Sequence, residues 1–116
     1  MKKYKDVIRD KYLIYQENRN KPGIYRWINN VNGKSYIGSS SNLGTRLSIY
    51  FSKKQMFNKL KISKSIIYEA LLKYGYDNFT LEILEYCSID ILIEREQYYI
   101  NYFKSEYNIL KAANSR

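Results

Sequence analysis

A small α/β domain is the fold class these 116 residues predict: a mixed or antiparallel three-stranded sheet flanked by helices, in the order β-β-α-α-β-α. Three observations predict it. An Asn32-Gly33 pair sits between two β-prone runs, which is the strongest short hairpin signal. Apolar residues recur at helical spacing in three later stretches. Between the second and third of these, Phe79, Leu81 and Ile83 alternate in the manner of a strand.

Residues 1–20 are polar and mixed, and Tyr12-Leu13-Ile14-Tyr15 fits a short edge strand or part of a helix equally well. Pro22-Gly23 punctuates the chain before a new element. Gly23–Ile28 and Lys34–Gly38 are the hairpin strands. With Asn32 and Gly33 as a two-residue turn, both at positive φ, Ile28 faces Ile37 and Tyr36 faces Asn29. Side chains alternate, so Tyr25, Trp27, Asn29 and Tyr36 share one face, and Ile24, Ile28 and Ile37 share the other. The isoleucine face is the expected core, and the tyrosine face is expected to be polar.

Ser39-Ser40-Ser41-Asn42 offers N-caps for a helix whose stripe is Leu43, Leu47, Tyr50 and Phe51. Arg46 and Tyr50, four apart, lie on one face of it. A lysine-rich loop follows, carrying Lys53, Lys54, Lys59 and Lys61. Ser63 can cap the next helix, with the stripe Ile67, Ala70, Leu71 and Tyr74 and a stop at Gly75. After the third strand, Ser88 or Asp90 can cap a last long helix with the stripe Ile89, Leu92, Ile93, Ile100 and Phe103. Tyr107-Asn108-Ile109 reads as a short extended segment.

Composition narrows the chemistry. The chain is 45% hydrophobic and 27% charged, as a folded globular domain is, and no apolar run approaches a membrane span. Met1-Lys-Lys-Tyr-Lys-Asp lacks the apolar stretch of a secretory signal. Cys87 stands alone, which excludes an internal disulfide and a multi-cysteine metal site. There is no histidine, so histidine triads and zinc fingers are excluded, and acid–base work falls to Tyr, Lys, Glu or Asp.

The charge is uneven. Residues 1–58 hold 12 Lys and Arg against 3 Asp and Glu, whereas residues 59–116 hold 8 against 8. No acid stands between Glu17 and Glu69, a stretch with ten cations. Such a run repels itself, and a DNA or RNA backbone is its natural counterpart. A solvated surface kept for solubility is the bland alternative. An anionic membrane is disfavoured, because the run is not one amphipathic helix. Lys, Asn, Ile and Tyr account for 54 of the 116 residues, and all have A/T-rich codons, so tyrosine abundance alone carries no functional weight.

Glu96 falls on the apolar stripe of the last helix, four residues from both Leu92 and Ile100. A carboxylate there must be paired, neutralised or metal-bound. Periodicity leaves a boundary salt bridge and a functional role equally open. Glu94 and Arg95 read as surface residues.

The triplets Gly23-Ile24-Tyr25 and Tyr36-Ile37-Gly38 form a pattern with several other segments: Leu43-Gly44-Thr45-Arg46, Lys73 to Phe79, Glu94-Arg95-Glu96 and Tyr107-Asn108-Ile109. In these the chain resembles the GIY-YIG nuclease superfamily. It is most similar to the catalytic domain of intron-encoded homing endonucleases of fungal mitochondria and phages. The resemblance covers roughly residues 22–110, which leaves 1–21 as an N-terminal extension and 111–116 as a tail where a linker would begin.

The resemblance implies a role for each matched position. Tyr25 and Tyr36 line the active site, one of them acting to activate water. Arg46 contacts the scissile phosphate, Glu96 binds a single divalent metal, Mg²⁺ or Mn²⁺, and Asn108 stands near the site. Tyr50 occupies a place where some homing enzymes have histidine and the repair branch has tyrosine. Ser39 replaces the lysine of the repair branch, which favours the homing branch. Lys34, Lys53, Lys54, Lys59 and Lys61, with Asn108, are the expected DNA contacts.

Phosphodiester hydrolysis needs these parts: a water activator, charge at the phosphorus and help for the leaving oxygen. Arginine clamps a phosphate bidentately. A tyrosine of pKa about 10 is a poor base at neutral pH, and Arg46 and the metal are expected to lower that pKa. The expected function is therefore a metal-dependent DNA endonuclease, the catalytic module of a homing enzyme. The alternatives are a non-cleaving nucleic-acid-binding module and a structure-selective repair nuclease. The expected partner is DNA, with no membrane, and the chain is read as a monomer with a separate C-terminal DNA-binding region. Codon bias and resemblance place it in mitochondria, or alternatively in the cytoplasm of a phage-infected or bacterial cell.

Overall fold

The structure, a computed structural model, describes residues 2–108; Met1, Ile109, Leu110 and the tail at 111–116 lie outside the described residues. Four strands, β1 (Lys2–Tyr4), β2 (Gly23–Asn29), β3 (Ser35–Ser40) and β4 (Phe79–Tyr86), form one sheet in the order β1-β4-β2-β3. All three pairings are antiparallel. The helices are α1 (Lys11–Asn18), α2 (Leu43–Ile49), α3 (Lys53–Leu60), α4 (Ile66–Tyr74) and α5 (Leu92–Phe103). The α/β class and antiparallel sheet agree with expectation, but the sheet has four strands where three were expected. The added strand is three residues long and polar, too short to show a period of two. Its Tyr4 is buried beside Val7 and Ile14, so the first twenty residues share the core of the sheet. Of the two readings left open for residues 12–15, the helical one holds.

The hairpin register differs from expectation by two residues. Trp27 faces Tyr36 and Arg26 faces Ile37. A wider loop replaces the two-residue turn: the Asn29 amide donates to the Lys34 carbonyl at 2.8 Å. Only Gly33 in that loop has positive φ, at 76°. Buried Asn29 is the reason. Its side chain accepts from the Val31 amide and donates to the Tyr107 hydroxyl, which holds residues 29–31 in a side-chain turn before Asn32 is reached. A slip of two preserves the faces, so the predicted face partition stands.

The assignment of the core to the isoleucine face is corrected. Tyr25 and Trp27, at 1% and 0% exposure, belong to the main core with Leu43, Leu47, Tyr50 and Leu81. Ile24 and Ile37 belong to a smaller layer with Leu84, Leu92 and Ile100, under α5. The aromatic face wins because it buries more area per residue and its hydroxyls find partners within the core. Where β2 pairs with β4, a bulge between Ile24 and Tyr25 leaves Leu84 as the extra residue, directed into the smaller layer.

The expected lysine loop is the helix α3, capped by Ser52, with Met56 as its one buried residue. A single buried position in eight residues gives no stripe to read. Asn42 caps α2, and Ser65 rather than Ser63 caps α4. Before α5 a 3-10 turn at Ile89–Ile91 changes the helical phase. Ile89 and Ile93, expected in the core, are exposed: Ile89 lies in that turn, outside α5, and Ile93 falls on the outer side of α5, whose Leu92, Glu96 and Ile100 face inward. Past α5, the Tyr107 amide donates to the Ser35 carbonyl, and the Asn108 side chain bonds both the amide and the carbonyl of Ile37 at 2.9 Å. This segment covers part of the outer edge of β3.

Removing residues 1–21 is expected to abolish the cooperative unfolding transition. Burying each of Tyr4, Val7 and Ile14 contributes about 1.5–3 kcal/mol, and together they approach a typical domain stability of about 5–15 kcal/mol. Urea unfolding followed by circular dichroism checks this; a native-like transition in the shortened chain would show that the core closes without them.

Candidate active site

β2 and β3 carry Tyr25 and Tyr36 side by side, with ring centroids 6.4 Å apart. Opposite Tyr25 stands Gly38. A Cβ there would collide with the Tyr25 ring, so glycine is what lets the phenol lie flat across the hairpin. The Tyr25 hydroxyl meets the Tyr50 hydroxyl at 2.7 Å. Tyr50 is fixed in turn by rings packed edge-on, Trp27 at 5.3 Å and Tyr68 at 5.4 Å.

Arg46, one turn before Tyr50 on α2, donates from Nη1 to the Tyr68 hydroxyl at 3.0 Å and from Nη2 to the Tyr50 hydroxyl at 3.4 Å. Its guanidinium also lies 5.0 Å from the Tyr50 ring centroid, a cation–π distance. None of the salt bridges among the described residues involves Arg46. Its charge is half-buried among neutral phenols with no carboxylate ion pair. Tyr68 was missed in the sequence reading. The signal was present: Tyr68 stands three residues before Leu71 on α4, beside the named stripe, and is 3% exposed.

The expectation that Arg46 lowers the tyrosine pKa values is corrected in its net direction. Burial pushes Tyr25, Tyr36 and Tyr50 above the usual phenol value, and the opposing pull of Arg46 is the smaller effect. Arg46 itself stays in its charged form at neutral pH, as a guanidinium does. At neutral pH the cluster is three neutral buried phenols around one cation.

Glu96 approaches from the other face of the sheet. It is 6% exposed on α5, and its Oε1 accepts a 2.5 Å hydrogen bond from the Ser39 hydroxyl. Ser39 and Tyr36 point to opposite faces of β3, yet the carboxylate is close enough to help push the Tyr36 pKa up. An open cleft of about 670 Å³ has Ser39, Ser40, Ser41 and Arg46 on its wall, together with Asp90, Ile89 and Ile93. The structure thus gathers Tyr25, Tyr36, Arg46 and Tyr50 into one cluster; Arg46 and Ser39 line the cleft, and the buried Glu96 stands behind Ser39.

The expected DNA contacts are more scattered. Lys53, Lys54 and Lys59 lie exposed on α3 and Lys61 just beyond it. Lys34 sits in the β2–β3 loop, at the end of the hairpin opposite Ser40. Asn108 is 8% exposed with its amide engaged on Ile37, so it serves the strand edge and does not face the cleft as a nucleic-acid contact.

Among the described residues no group of three or more His, Cys, Asp or Glu side chains gathers as a metal cage. A magnesium-type ion needs none: it keeps several waters and takes one or two carboxylates plus substrate phosphate oxygens. Glu96, held by the Ser39 hydroxyl behind the cleft, offers one carboxylate for that mode of binding, and Asp90 stands on the cleft wall.

Residues 21–108 match the family described as GIY-YIG catalytic domain. The chain is 32% identical over 120 residues to a probable intron-encoded endonuclease 1 of Neurospora crassa, covering 96% of this chain and 36% of that protein. It therefore spans about a third of that relative's length. Among solved structures, a point mutant of the catalytic domain of intron endonuclease I-TevI superposes with a TM-score of 0.64 at 31% identity, covering 79% of this chain and 96% of that one. The catalytic domain of homing endonuclease I-TevI gives 0.63 at 30% identity, covering 78% and 99%. Two matched triplets on one hairpin, a shared fold and a match over most of the chain lead to one conclusion: this chain belongs to the GIY-YIG catalytic domain family.

Proposed function

We propose that this chain is the catalytic module of a homing-type endonuclease and hydrolyses one phosphodiester bond of DNA per active site. The observation that carries the reading is Arg46, a half-buried cation opening to a cleft, with phenols but no carboxylate as its partners. A cation withdrawn from water without an ion pair is complementary to a phosphate. The relatives, named as intron endonucleases, support the same substrate class.

Arg46 receives the scissile phosphate and stabilises the charge that builds on its oxygens. Tyr25 and Tyr36 orient the attacking water. Because their pKa values are raised, each works as a neutral phenol that orients the water by hydrogen bonding, and the water's proton passes to a phosphate oxygen of the substrate. The 2.7 Å hydrogen bond between Tyr25 and Tyr50 holds the Tyr25 hydroxyl in place. Tyr68 positions the guanidinium through its 3.0 Å hydrogen bond. Glu96, oriented by Ser39, is the residue that would hold a divalent ion, Mg²⁺ or Mn²⁺, whose positive charge favours departure of the leaving oxygen. The α3 lysines contribute non-specific backbone attraction. Sequence choice is assigned to a separate C-terminal DNA-binding region, and the fungal relative supports a mitochondrial origin. No helix among the described residues is long and apolar enough to cross a membrane.

Nicking of supercoiled plasmid with and without Mg²⁺ or Mn²⁺ tests the reading. Glu96→Gln and Arg46→Lys are each expected to slow nicking by about 100-fold or more, with thermal midpoints close to wild type. Undiminished cutting by either variant would remove that residue from the mechanism. Tyr68→Phe keeps the ring and loses one hydrogen bond to Arg46. It is expected to lower kcat by about three- to tenfold with KM unchanged; a change confined to KM would contradict a positioning role. The buried phenols also set a pH limit on stability. Their folded pKa values exceed the unfolded ones, so their contribution is complete below about pH 9 and is lost as pH rises through about 10 and beyond. Thermal midpoints measured from pH 7 to pH 11 should be flat and then fall, and the fall should shrink in Tyr25→Phe/Tyr50→Phe.

A further inference from the structure

Ile89 and Ile93 are 62% and 51% exposed, although each stands within three residues of the inward-facing Leu92. Single exposed aliphatic residues are ordinary. These two share a cleft with Arg46. The cleft is chemically divided: it presents the guanidinium and the hydroxyls of Ser40 and Ser41, and against them the two isoleucines and the Asp90 carboxylate. A phosphate seated at Arg46 is attracted there, and Asp90 repels a second phosphate from its own side. The part of the nucleotide left to meet the isoleucines is the sugar and base.

The site is also recessed. Arg46 is half-buried, so a phosphate seated on it is drawn inward from the surface. Drawing one phosphate inward strains the stacking of the adjoining bases. Apolar side chains at a parted step offset that strain by replacing lost stacking.

We propose that Ile89 and Ile93 form an apolar wedge that presses into the base step next to the phosphate held by Arg46 and unstacks it in duplex DNA. This rests on the DNA-cleavage reading above and deepens it by naming how the cleft deforms its substrate.

Ile89→Ser/Ile93→Ser tests the wedge, and because both positions are exposed the thermal midpoint should stay unchanged. A circular plasmid is relaxed by a metal-independent topoisomerase in EDTA, under saturating protein, then stripped of protein and sized by gel. The wild type is expected to change the linking number and the double variant to leave it unchanged, with affinities for a short labelled duplex within about threefold of each other. With Mg²⁺ added, the variant should nick supercoiled plasmid about tenfold more slowly. An unchanged linking number with the wild type overturns the wedge, as does a variant that matches the wild type in both assays. Sedimentation showing self-association that the substitutions abolish, with DNA behaviour unaltered, also overturns it and gives the patch to a second copy of the chain. A wild type that shifts the linking number yet cuts no DNA supports the wedge and overturns the cleavage reading instead.

Discussion

The arrangement depends on keeping one guanidinium charged while much of it is out of water. Removing a cation from solvent costs free energy that a carboxylate would ordinarily offset. At Arg46 the compensation comes from phenol oxygens and aromatic faces, which hold the charge without cancelling it. The net positive charge is thereby kept for an incoming anion. The same choice dictates the aromatic packing around it. Tyr50 and Tyr68 must be rigid to hold the fork, and Trp27 and Tyr25 make Tyr50 rigid.

The edge strand β3 joins the two halves of the site. Tyr36 on one face belongs to the phenol cluster, and Ser39 on the other grips Glu96. Alternation along β3 therefore sets an acid beneath the sheet, behind the cleft that holds the cation. An edge strand is otherwise prone to fray or to pair with other chains. Here the Asn108 amide takes up the amide and carbonyl of Ile37 and stiffens the strand midway between Tyr36 and Gly38. Asn108 thus has a mechanical role at this strand edge, with both ends of its amide engaged on Ile37.

Basic charge is divided between two tasks. Arg26 is drawn into the smaller layer, where it pairs with Glu82 at 3.3 Å and lies over the Phe103 ring at 3.9 Å. Arg95 pairs with Glu85 at 2.8 Å and holds α5 against β4. Both contribute to the net charge of +9 without being available to a polyanion. The exposed lysines of α3 are available, and the amphipathic character of that helix, anchored by Met56 alone, sets them outward.

The α/β class, the hairpin and its alternating faces, the helices α2, α4 and α5 and the helical pair Arg46–Tyr50 were legible in the residues because each depends on neighbours a few positions apart. So was the anomaly of Glu96, an acid on an apolar stripe. The short strand β1 was not legible, because three polar residues pair only when β4 is present to receive them. The hairpin register was lost for a related reason, since Asn29 widens the loop by reaching Tyr107, far along the chain. Tertiary packing alone decided which face of the hairpin is the main core, and with it the ionisation of the tyrosines. A phenol's pKa depends on the water removed by distant helices, and no local spacing records that. The same holds for Ile89 and Ile93, whose exposure depends on how the turn before α5 and α5 itself pack beside the Arg46 cleft.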